Sequence, residues 1–78
     1  MEREWLREMR SKRGLTYEEL GEMVGTCASN VCNLELGKRG KHGMTTNMAV
    51  KFAEALRVAP MTVIRKEMEW LGYGKESV

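Results

Sequence analysis

The chain has 78 residues, 42% of them hydrophobic and 31% charged, which excludes a disordered polypeptide and leaves room for one small globular domain. It holds no Asp, no Gln and a single His, His42, so Asp-based triads, Walker-type magnesium carboxylates and the usual calcium loops are ruled out, and no enzyme is expected. With 13 Lys and Arg against 11 Glu, the net charge of +2 names no partner, and the placement of charge matters more than its sum.

Good helix formers dominate, and with a single proline the punctuation divides the chain into five helices of an all-α fold. The first is expected from about Glu2 to Arg13, with Trp5, Leu6 and Met9 as its apolar stripe and Gly14 closing its last turn. The second spans Thr16 to about Val24. Thr16 and Glu19 have the spacing of a capping box, and Leu15 is set to staple onto Leu20. Its buried face is expected to be Leu20, Met23 and Val24, and Gly25 stops it. The third runs from about Cys27 to Glu35 with Val31 and Leu34 inward, so that Ala28, Ser29, Cys32 and Asn33 face outward.

Residues 38–43 read as a mobile basic loop in which Gly37, Gly40 and Gly43 separate the charges of Lys38, Arg39, Lys41 and His42. The fourth helix begins near Thr45 or Thr46 and reaches about Arg57, with Met48, Phe52, Ala55 and Leu56 inward. The fifth begins at Pro60, a favourable first residue because its missing N–H would have no partner there, and continues to about Leu71. Residues 1–71 form the expected domain and residues 72–78 a flexible tail.

Cys27 and Cys32 are five apart and would point about 140° apart on one helix, so no bridge joins them there. Two cysteines and one loop histidine fall short of a zinc site, and neither a metal nor another cofactor is expected. No apolar run approaches the roughly 20 residues of a membrane span. The chain therefore reads as a cytoplasmic protein with reduced thiols.

The most specific stretch lies between Tyr17 and Glu35. Gly21 sits where the second and third helices must approach most closely, and Gly25 provides the positive φ of a tight turn. These offsets describe a helix-turn-helix, whose second helix fits a DNA major groove. The string GLTYEELGEMVGTCASNVCNLELGKRG, followed by AVKFAEALRV, resembles the phage-repressor and Cro-like (XRE) family over about residues 3–65. Leu20, Gly21, Gly25, Val31, Leu34, Glu35 and Gly37 carry the match. The resemblance implies a lambda-repressor-like domain, bacterial or phage, in which an arginine of the first helix pairs with the glutamate that ends the recognition helix. Arg10 and Glu35 occupy those positions. Tyr17 stands where the family usually has Gln, Cys27 where it often has Ser or Thr, and the loop after Gly37 is longer and more basic.

Within that frame Ala28, Ser29, Cys32 and Asn33 are expected to face base edges. The Asn33 amide suits adenine, Ser29 can meet either a donor or an acceptor, and Ala28 and Cys32 suit a thymine methyl. Lys38, Arg39, Lys41 and His42 are expected as a phosphate clamp, with Tyr17, Thr26, Cys27 and Asn30 as further phosphate contacts. A homodimer on an inverted-repeat operator is also expected, built partly on the fifth helix. Met61, Ile64, Met68 and Leu71 share one stripe and can face the core, leaving Val63 and Trp70 for the partner. The alternative is that Trp70 folds over the first helix beside Trp5. The favoured function is a sequence-specific transcriptional regulator, a repressor before an activator, acting through occupancy of double-stranded DNA. The alternatives are an antitoxin that also binds a toxin protein, a restriction–modification controller protein, and a helical protein–protein adaptor that does not bind DNA.

Overall fold

Thr16 and Thr45 show how local chemistry starts a helix in this chain. In the computed structural model, which describes residues 1–72, Thr16 accepts a hydrogen bond from the Glu19 amide while the Glu19 carboxylate accepts from the Thr16 amide. Thr45 accepts from the Met48 amide. Among the described residues the chain forms five helices and no strand: α1 Glu4–Lys12, α2 Tyr17–Val24, α3 Ala28–Glu35, α4 Thr46–Leu56 and α5 Pro60–Leu71. The expected tail lies outside the described residues apart from Gly72.

α2 packs on α3 and α4, α4 packs on α5, and α1 meets α3. The core gathers Leu6 from α1, Leu20 and Val24 from α2, Val31 and Leu34 from α3, and Phe52, Ala55 and Leu56 from α4. A smaller cluster of Ala49, Ala53 and Val63 fastens α5 to α4, and Trp5, Met44 and Val58 touch both clusters. Phe52 is wholly buried, and truncating such a ring to alanine typically costs about 3–5 kcal/mol.

Several expectations about the elements are corrected. α1 starts at Glu4 rather than Glu2, because Arg3 caps it with a non-helical backbone and donates its N–H to the Glu35 carbonyl at 2.7 Å. Met23, expected in the core, is 53% exposed. The inward face of α5 is also rotated. Val63 is 0% exposed against Ala49 and Ala53, with buried Glu67 one turn later, whereas Met61 and Met68 are exposed. Val63 therefore has no surface to offer a partner chain. Trp70 is used within its own chain: its indole N–H donates to the Met1 and Glu2 carbonyls, both at 3.2 Å. It covers the segment that leads into α1. The physical reason for the rotation is steric: branched Val63 fits the shallow surface of Ala49 and Ala53, and flexible methionines lose less by facing water. Finally, the basic loop is fastened rather than mobile, for reasons given below.

Candidate nucleic-acid interface

The turn between α2 and α3 is built from two glycines with different tasks. Gly25 ends α2 with a φ of 81°, a conformation that costs any side-chain-bearing residue free energy. Gly21 makes the close approach. Its carbonyl accepts from the Thr26 amide at 2.7 Å, and a methyl group there would lie 2.9 Å from the Thr26 carbonyl oxygen. Even alanine is thus too large at Gly21.

α3 emerges from this turn with Cys27 as its cap residue. The Cys27 thiol makes no capping bond, so the first turn of α3 has no side-chain cap from that residue. Asn30 turns back along the helix and donates to the Thr26 hydroxyl at 2.9 Å. Ser29 and Cys27 are exposed, and Ala28, Thr26, Asn30, Cys32 and Asn33 are half-buried. Among the described residues no group bonds the Asn33 side-chain amide. Its backbone carbonyl accepts from the Lys38 amide at 2.9 Å and the Arg39 amide at 3.3 Å. The first two loop cations therefore issue from the same turn of α3 that carries Asn33. Lys38, Arg39, Lys41 and His42 are all exposed.

Behind this face lies Glu35, the last residue of α3 and fully buried. Arg10 donates to both its carboxylate oxygens, at 2.8 and 3.2 Å, as the family resemblance implied. Arg7 adds a bond at 3.2 Å and the Tyr17 hydroxyl donates another at 3.1 Å. This corrects the role expected of the Tyr17 side chain, whose hydroxyl donates inward to a carboxylate instead of outward to phosphate. The Arg10 guanidinium also lies over the Tyr17 ring, 4.4 Å from its centre. Burial pushes the Glu35 carboxyl up, but the hydrogen bonds from Arg10, Arg7 and Tyr17 outweigh it and hold the group below the ordinary carboxylate value. Burial, and then the bond to Glu35, pushes the Tyr17 phenol up. Bonds to Glu35 hold Arg7 and Arg10 above their ordinary value.

A second ionic knot fastens the loop, and its centre was not foreseen. Arg3 is 0% exposed. Its Nε and Nη2 donate to the two oxygens of Glu67, at 2.7 and 3.0 Å. Its remaining N–H groups reach the carbonyls of Leu34 at 2.6 Å, Arg39 at 2.9 Å and Gly40 at 2.7 Å. All five guanidinium donors are thereby satisfied, the condition under which a buried charge is tolerated. The Trp70 ring closes one face of the guanidinium at 3.8 Å. Glu67 also accepts from the Met44 amide at 3.1 Å, where the chain leaves the loop. The sequence signal for this knot was Glu67 itself, a charge standing between Val63 and Trp70 on the apolar line of α5.

Among the described residues no group of three His, Cys or acidic side chains is placed to hold a metal, and no helix is long and apolar enough to cross a membrane. Comparison with known protein families, with curated proteins and with solved structures finds no match.

Proposed function

We propose that the protein is a sequence-specific double-stranded DNA-binding regulator of the Cro-like helix-turn-helix kind, with α2 and α3 as the motif and α3 as the helix that enters the major groove. The observation that carries this reading is the junction of α3 and the basic loop. An amide without a partner among the described residues, Asn33, sits on an uncharged outer face, and the backbone of the same residue holds the start of a run of exposed cations. Neutral hydrogen-bonding side chains discriminate base edges, and flanking cations bind phosphate without regard to sequence. Ser29, Cys32 and Ala28 complete the base-facing set, while Lys38, Arg39, Lys41 and His42 supply the phosphate contacts. Thr26, Cys27 and Asn30, at the start of α3, supply further phosphate contacts.

Two copies on an inverted repeat belong to the same reading. The surface for a second copy is the exposed apolar edge of α5 at Met61 and Met68, in place of Val63. Regulation would follow from occupancy, with bound protein excluding or contacting polymerase. The deciding experiment is selection of bound sequences from a random pool of duplex DNA at near-physiological salt. Enrichment of one motif with two-fold symmetry supports the reading. Recovery of no motif, with equal retention of all duplexes, overturns it.

A further inference from the structure

We propose that Arg3 is a positioning residue for DNA binding: its guanidinium sets the course of the basic loop and so fixes where Lys38, Arg39 and Lys41 meet phosphate. This rests on the duplex-binding reading above and adds to it the group that prepares the loop. Arg3 is itself wholly buried and is not a phosphate contact.

The loop has few other restraints. It lies between α3 and α4 and contains Gly37, Gly40 and Gly43, all with positive φ, so its backbone has wide freedom unless something bonds it. Arg3 bonds two successive loop carbonyls, Arg39 and Gly40, from one planar fork. The fork cannot swing, because Glu67 grips its other side and Trp70 stacks on its face. Glu67 also accepts from Met44, so both ends of the loop are tied to one buried ion pair.

The loop is in turn fitted to Arg3. A methyl group at Gly40, where φ is +65°, would lie 2.8 Å from Arg3 Nη2. Lysine is no substitute at position 3, since it carries its donors at one point on a flexible stem instead of in a plane. A loop held in one course presents its cations with less conformational freedom left to lose on binding.

Three variants test this: Arg3→Lys, Gly40→Ala, and the loop with Lys38, Arg39 and Lys41 all changed to Gln. Amide hydrogen exchange in the free protein reads the clamp. Arg3→Lys should speed exchange at Gly43 and Met44 by about tenfold or more while Leu20 and Val24 in α2 keep their protection. Affinity for random-sequence duplex across a salt series reads its purpose. The slope should fall by about 0.9 for each phosphate that no longer meets a cation. Arg3→Lys should cost nothing further when added to the neutralised loop. If Arg3→Lys does not fold, Gly40→Ala disturbs the same contact with the Arg3–Glu67 pair in place. Faster exchange with an unaltered salt slope overturns the positioning role, as does full additivity with the loop variant. Absence of duplex binding by the wild type at low salt is a separate outcome, which removes the reading of the interface itself.

Discussion

Glu35 is the residue on which the candidate interface is mounted, and its charge is kept by three donors from two helices. Because its folded-state pKa lies below the ordinary value, its contribution to stability is complete above about pH 4.3 and is lost as the pH falls through the lowered folded value. Urea unfolding between pH 2 and 7 should therefore show an acid limb that is shallower in Glu35→Gln. At neutral pH the same variant should be less stable by about 3 kcal/mol, since it leaves Arg10 facing an uncharged group in a buried site. An acid limb of unchanged steepness would remove Glu35 as its source. Asn33 makes the contrasting prediction, because no described group bonds its amide. Asn33→Ala should leave stability within about 0.5 kcal/mol yet cost about 1–3 kcal/mol on the best duplex and relax choice at one base pair. Equal loss on every duplex would contradict base reading. At this scale the sequence was partly legible. Arg10 with Glu35 could be named because the resemblance supplies both positions. Arg3 could not, since it fell inside the helix expected from Glu2, where it reads as one more polar residue, and its five acceptors come from segments up to 64 residues away.

Helices were legible where capping chemistry marks their ends. The Thr16–Glu19 pair, Gly25 and Pro60 bound α2 and α5 to within a residue, because each satisfies or removes a terminal backbone group. The phase of α5 was less legible. Two apolar stripes compete on this helix, and hydrophobicity alone favours the one richer in methionine. Packing decides otherwise: Val63 enters the alanine surface of α4, and Glu67 must meet Arg3. Val63→Ala should consequently destabilise the fold by about 2 kcal/mol, measured by urea titration. Met61→Gln with Met68→Gln should leave monomer stability nearly unchanged. If the methionine edge carries the second copy, the methionine pair should also raise the dissociation constant by about tenfold or more in sedimentation equilibrium. A costly methionine pair together with a harmless Val63→Ala would reverse the assignment of faces.

Over the whole molecule, the basic loop sets the sign of the net charge, because it carries Lys38, Arg39 and Lys41 and no Glu. Removing the three charges of Lys38, Arg39 and Lys41 takes the net charge from +2 to −1. Neutralising them should weaken specific and non-specific duplex binding alike and flatten the salt dependence, measured by fluorescence anisotropy from about 50 to 200 mM salt. Loss confined to the specific duplex would move these cations into base recognition. The two ionic knots also divide the labour of a small domain. The Glu35 knot ties α1 and α2 to the end of α3, and the Arg3 knot ties α5 and the loop to the entry of α1. A chain of this size has a thin core, and each knot joins segments the core leaves far apart in sequence.

Trp70 makes the second knot visible to light. Its indole N–H donates to the Met1 and Glu2 carbonyls and its ring lies against the Arg3 guanidinium, so the chromophore feels a fixed charge and a fixed hydrogen bond at once. Opening the knot would expose the indole to water and shift its emission to longer wavelength. Trp5→Phe would remove the other indole of the chain and leave Trp70 as the sole intrinsic gauge. Emission from that variant, followed as duplex is added, then reports without a label whether the loop keeps its resting course on DNA or yields to it. A constant spectrum through saturation signifies a preformed clamp, and a red shift in step with binding signifies one that opens.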